Sequence, residues 1–93
     1  MDNSLFNTSA IERKADNVYT TLLHDELVIM DAVSGEYVTL NPIARVIWDQ
    51  LERPIHLEDL ITRLISIYDV TEEICREETL RFLSKLQKQG LLK

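Results

Sequence analysis

One cysteine and two histidines, Cys75, His24 and His56, are the side chains of this sequence best suited to nucleophilic or metal chemistry. A thiol nucleophile needs a base within hydrogen-bond reach to hold it as thiolate. Cys75 falls on an apolar helical stripe, and no plausible base shares that face. It therefore reads as a small buried hydrophobe. His24 lies among turn residues and His56 stands where a helix begins, and two isolated histidines do not make a metal site. Glu72-Glu73 and Glu77-Glu78 form an acid run that reads as a solvated helix face. There is no glycine-rich phosphate loop, HExxH, CxxC or GxSxG pattern. The expectation is no catalytic residue, no metal and no cofactor, hence a binding module rather than an enzyme.

Composition bounds the rest. The 93 residues suffice for one small domain, and 45% of them are hydrophobic, enough for a packed core. Sixteen acidic residues against ten basic ones leave a formal net charge of −6. That disfavours a protein that tracks phosphates, since nucleic-acid affinity rests on Lys and Arg. No apolar run approaches the ~20 residues of a membrane span. The N-terminal stretch does not read as a signal peptide, because Asp2, Glu12, Arg13 and Lys14 interrupt it. A single cysteine cannot form an internal disulfide, so a cytoplasmic location is expected.

These residues need elements to position them. Residues 1–16 mix polar and apolar types without a period and read as a flexible N-terminal arm, loosest over Met1–Ala10, ahead of a domain at 17–93. Val18-Tyr19-Thr20-Thr21-Leu22-Leu23, Leu27-Val28-Ile29-Met30 and Glu36-Tyr37-Val38-Thr39-Leu40 read as three strands. They are separated by His24-Asp25-Glu26 and by Asp31-Ala32-Val33-Ser34-Gly35, so an antiparallel meander is expected. Asn41-Pro42 is a helix start, Asn as cap and Pro at the first helical position. Ile43, Val46, Ile47 and Leu51 follow at helical spacing, with Trp48 beside them as a packing anchor. Leu57, Leu60, Ile61, Leu64, Ile65 and Tyr68 make one stripe over three turns of a second helix. Thr71 can cap a third, whose inner stripe is Cys75, Thr79, Phe82, Leu83 and Leu86, flanked by Ile74 and Leu80. Gly90 can stop it, with Leu91 and Leu92 folding back. The predicted fold is α+β and winged-helix-like, a three-stranded antiparallel sheet followed by three helices (βββααα).

Three segments in this order resemble a known family: Ser34 to Asn41 running through Pro42 to Trp48; Leu57-Glu58-Asp59-Leu60 continuing to Tyr68; and Phe82-Leu83, Leu86 and Gly90-Leu91-Leu92. Together they resemble the PqqD family, whose fold is also called the RiPP recognition element. The founding branch, which serves pyrroloquinoline quinone synthesis with a radical SAM partner, usually carries an Arg-Gly pair before the second strand and Pro-Glu-Arg after it. Here His24-Asp25-Glu26 and Asp31-Ala32-Val33 stand there. Ile47-Trp48 and Cys75 are more similar to the stand-alone proteins of lasso-peptide clusters. The resemblance implies binding of the leader of a ribosomally made precursor peptide, as an added strand on the third strand beside the third helix. It also implies delivery to a leader peptidase, a cysteine protease of the same cluster, with a cyclase acting afterwards.

The residues suit that implication. The third strand of a meander is an edge, and no Lys or Pro blunts it. The strand-side candidates are Tyr37, Val38, Thr39 and Leu40. The helix-side candidates are Ile74, Cys75, Glu78, Thr79 and Phe82, with Arg76 and Arg81 able to meet acidic leader residues. Tyr37, Leu40, Phe82 and Leu86 can equally be core. The expected state is a monomer whose free edge is able to pair with a second copy. The competing classes are a winged-helix DNA-binding module, which the acidic start of the third helix argues against, and a small enzyme using Cys75.

Overall fold

The computed structural model describes residues 9–93. Three antiparallel strands, β1 (Val18–Leu23), β2 (Glu26–Asp31) and β3 (Tyr37–Leu40), are followed by α1 (Pro42–Gln50), α2 (Leu57–Ile67) and α3 (Glu72–Lys88). The strand order is β1-β2-β3, which leaves β1 and β3 at opposite edges. The α+β arrangement expected from the sequence is thus the one observed.

The turns explain the meander. His24 and Asp25 have φ of 53° and 67°, so a two-residue loop closes on the pair Leu23↔Glu26. Positive φ at both loop residues matches the right-handed twist of the flanking strands. Asp31 builds the second turn. Its carboxylate accepts from Val33 N–H at 3.0 Å and from Ser34 Oγ at 3.3 Å, while Gly35, at φ +77°, donates to Asp31 O at 2.8 Å. An aspartate that bonds its own downstream backbone is a turn device, and Gly35 takes the left-handed residue at no steric cost.

The register assigns the faces. Ile29↔Val38 and Leu27↔Leu40 pair on the side facing the helices, with Ile29, Val38 and Leu40 almost fully buried. Tyr19, Met30 and Tyr37 form a row on the opposite, exposed face. The helices close the core with Ile47, Trp48 and Leu51, then Leu57, Leu60, Ile61 and Leu64, then Cys75, Leu83 and Leu86. Burial of such aliphatic side chains contributes about 1.5–3 kcal/mol each.

The helix ends carry the expected chemistry at most points. Asn41 Oδ1 accepts from Ala44 N–H at 2.8 Å, with Pro42 following, and Thr71 Oγ1 accepts from Ile74 N–H at 3.3 Å. His56 occupies the cap position of α2 but makes no side-chain cap bond; Glu58 and Asp59 in the first turn favour that end instead. At the end of α3, Gly90 sits at φ +71°, Gly90 N–H donates to Gln87 O, and Leu91 N–H donates to Leu86 O. This pair of bonds folds Leu91 back into the core.

The stretch expected to be an arm divides. Most of Met1–Ala10 lies outside the described residues. Ile11, by contrast, is buried and exchanges two backbone bonds with Ile55, of 2.8 and 3.0 Å. Arg13 N–H donates to Leu51 O, Lys14 N–H to Leu91 O, and Lys93 N–H to Glu12 O. Residues 11–14 thus belong to the packed domain. A short apolar anchor such as Ile11 has no period of its own, so local pattern alone could not mark it.

Candidate functional site

The site begins at the β3 edge. Asp31 N–H donates to Glu36 O at 2.9 Å, and bonded pairs alternate along an antiparallel ladder. Val38 and Leu40, in register with Ile29 and Leu27, therefore spend their N–H and C=O groups on β2. Tyr37 and Thr39 turn theirs outward, and their side chains are exposed, Tyr37 by 67%. Of the four strand-side candidates, two present the open edge and two, Val38 and Leu40, are core residues that hold it in place.

Beyond Leu40 the chain turns at Asn41 into α1, and a cleft of about 290 Å³ opens between α1 and α3. Ile43, Ala44 and Ile47 form its α1 wall, and Phe82 with Glu78, Arg81 and Lys85 its α3 wall. Against it lies a smaller apolar cleft of about 100 Å³, reaching Leu64, Tyr68 and Val70 and walled on α3 by Ile74, Cys75 and Thr79. Ile43 and Glu78 line both, so the two form one furrow along α3. Its floor is apolar and its rim is charged, a combination suited to holding a peptide side chain and fixing its direction.

The helix-side candidates therefore do gather. Ile74 is exposed at the furrow, Phe82 is half-buried in its wall, and Glu78 stands at its rim. Cys75 and Thr79 form its floor and are buried, with Sγ and Oγ1 at 4.0 Å. The two arginines separate. Arg76 is turned to α2, where its guanidinium makes two bonds to the Glu58 carboxylate, of 2.7 and 2.8 Å, and it lines neither cleft. The bond to Arg76 holds the Glu58 carboxyl below its ordinary pKa, against a smaller opposing effect of desolvation. Arg76 is thus a clip between α2 and α3. Arg81 remains at the cleft, paired with Glu77 and Glu78 at 3.2 Å each on its own helix. Such exposed pairs are worth little and exchange readily.

Sequence reasoning missed the α1 wall. Ile43 shares the helical spacing of Val46, Ile47 and Leu51, but it is 47% exposed and stands where the two clefts meet. The available signal was its position two residues after the capping Asn41, which places it at the end of the open strand. Lys85 was missed because a lysine on an amphipathic helix is ordinarily solvated. Among the described residues no three His, Cys, Asp or Glu gather as a metal site would require, and no helix is long and apolar enough to cross a membrane.

A sheet with an open edge beside an apolar furrow on a winged-helix-like scaffold is the architecture of a peptide-recognition domain. The chain belongs to the PqqD family: the family model described as coenzyme PQQ synthesis protein D matches residues 26–92. Two solved structures share the fold. One is TbiB1 in complex with the TbiA(beta) leader peptide, 25% identical, with a TM-score of 0.73 over 85% of this chain and 92% of that one. The other is a lasso peptide synthetase B1 complexed with the leader peptide, 22% identical, with a TM-score of 0.75 over 89% of this chain and 96% of that one. No curated protein matches the chain.

Proposed function

We propose that this protein binds the leader of a ribosomally made precursor peptide in lasso-peptide maturation and delivers it to a leader peptidase. The leader adds as a fourth strand to β3, pairing with the outward groups of Tyr37 and Thr39 and extending past Asn41. Its alternate side chains enter the furrow between α1 and α3. The observation that carries this reading is the juxtaposition of a free strand edge with an apolar furrow opening at that strand's end. The two solved structures of the same fold, both held with leader peptides, support it. The backbone supplies register and the furrow supplies selectivity. Arg81 and Lys85 at the rim favour a leader with an acidic residue there, Arg81 exchanging its partners on α3 for the leader carboxylate. The peptidase gains by effective concentration, so the protein has no chemistry of its own to perform.

The test is titration of a fluorescently labelled leader from the neighbouring precursor gene. Saturable binding is expected, and Ile43→Glu, which puts a charge where the clefts meet, should weaken it by about tenfold or more. Absence of saturable binding by the unaltered protein refutes the reading. Delivery is tested separately, by peptidase turnover of the precursor with and without this protein; equal rates refute it. The family description favours a second pathway, coenzyme PQQ synthesis. Tighter binding of that pathway's precursor than of a lasso leader would select it.

A further inference from the structure

Among the described residues the sheet has a second open edge. β1 stands across the sheet from β3 and is six residues long against four. Its loop closes on Leu23↔Glu26, and Ala32 N–H donates to Asn17 O at 2.8 Å. Bonded pairs with β2 therefore fall on Tyr19, Thr21 and Leu23, and Val18, Thr20 and Leu22 turn their N–H and C=O groups to the open side. Edges are usually blunted by Lys or Pro, and β1 has neither. Tyr19, Leu22 and Leu23 are each more than half exposed.

A basin of about 200 Å³ lies beside this edge, lined by Arg13, Lys14, Ala15, Val18, Thr20 and Trp48. Thr20 is in register with buried Ile29, so the basin is on the helix-facing side of the sheet. The Arg13 guanidinium lies 5.1 Å from the Trp48 ring centroid and donates to Trp48 O at 3.1 Å, both uncharged partners. Among the described residues no carboxylate pairs with it. Lys14 approaches Asp31 only to 3.8 Å. In a chain of net charge −6, this basin sets two cations side by side against a free edge.

We propose that the β1 edge is a second docking surface, taking an extended segment of the enzyme that receives the leader. That segment is acidic on the face toward Arg13 and Lys14 and apolar on the face beside Tyr19 and Leu23. A strand added here sends alternate side chains into the basin and onto the outer face, which sets this pattern. A second copy of this chain is a poorer occupant, because its own β1, Val-Tyr-Thr-Thr-Leu-Leu, offers no carboxylate to the basin. The inference rests on the delivery role proposed above. Since β1 and β3 are opposite edges, leader and enzyme bind together rather than in turn.

The experiment uses the full chain, the labelled leader and the leader peptidase of the same cluster, with the two affinities measured separately. Thr20→Pro removes an outward donor, and Arg13→Gln removes one basin charge. Each should weaken peptidase binding by about tenfold or more and leave leader affinity within about twofold. A benzophenone side chain placed at Leu22 should crosslink to the peptidase, and one placed at Thr39 to the leader. Peptidase binding that is undetectable, or that both variants leave unchanged, overturns the inference while leader binding stands. A Leu22 crosslink to a second copy of this chain also overturns it. Loss of leader binding by the unaltered protein instead removes the reading on which it rests.

Discussion

Proline substitution at two adjacent residues of β3 separates edge recognition from sheet integrity. Thr39 N–H points away from β2, so Thr39→Pro removes no bond of the sheet but deletes one donor to an added strand. Val38 N–H points to Ile29, and the Val38 side chain is only 2% exposed, so Val38→Pro breaks a ladder bond and disturbs the core. An unpaired carbonyl on a docked leader costs about 1–3 kcal/mol. That is about 5- to 150-fold in affinity, with the lower part of the range fitting an edge still open to water. The unfolding temperature of Thr39→Pro should stay within a few degrees of the unaltered protein. Val38→Pro loses a comparable 1–3 kcal/mol of stability instead, a fall of about 5–20 °C for a domain of this size. Fluorescence anisotropy with labelled leader and thermal unfolding by circular dichroism read the two quantities. Unchanged leader affinity in Thr39→Pro, or equal destabilisation by both prolines, would refute the assignment of outward groups.

Replacing His24-Asp25 by Asn-Gly relieves two positive-φ positions in the β1–β2 loop and should stabilise the protein by about 1–2 kcal/mol, read as a rise in unfolding temperature with leader affinity unchanged. Asn41→Ala should cost about 1 kcal/mol through the lost cap of α1, measured by urea unfolding. Leu83→Ala, at a fully buried position of α3, should cost about 2–5 kcal/mol in the same assay. The Glu58 carboxyl is held below its ordinary value of 4.5 by the bond to Arg76, so its contribution is present above that pH and lost as pH falls through the lowered value. The stability difference between the unaltered protein and Glu58→Gln should therefore be present at neutral pH and vanish in acid unfolding titrations.

The elements were legible because their local signals agreed. Asn41-Pro42, Thr71 and Gly90 mark helix ends by backbone chemistry that does not depend on the rest of the fold. The stripe from Leu57 to Tyr68 admits only one face. The strand edge was legible from its order in the meander, but which residues present it was not. That depends on hydrogen-bond parity, which the Leu23↔Glu26 and Asp31–Glu36 contacts set and composition does not. Ile43 and Arg76 illustrate the other limit. Both sit on helices whose existence and bounds were legible, yet one faces a furrow and the other a neighbouring helix. Only helix–helix packing decides between those, and packing is not a local property. Ile11 is the clearest case, since its partner Ile55 lies far along the chain, between two helices.

The bonds from Lys93 N–H to Glu12 O and from Lys14 N–H to Leu91 O have a consequence for engineering. They bring the beginning and end of the packed domain side by side. Such a domain can be spliced into a surface loop of another protein without stretching the host, because both junctions leave from one place. The packed part should equally tolerate circular permutation, with a short linker joining Ile11 to Lys93 and a new break at exposed Val33 and Ser34.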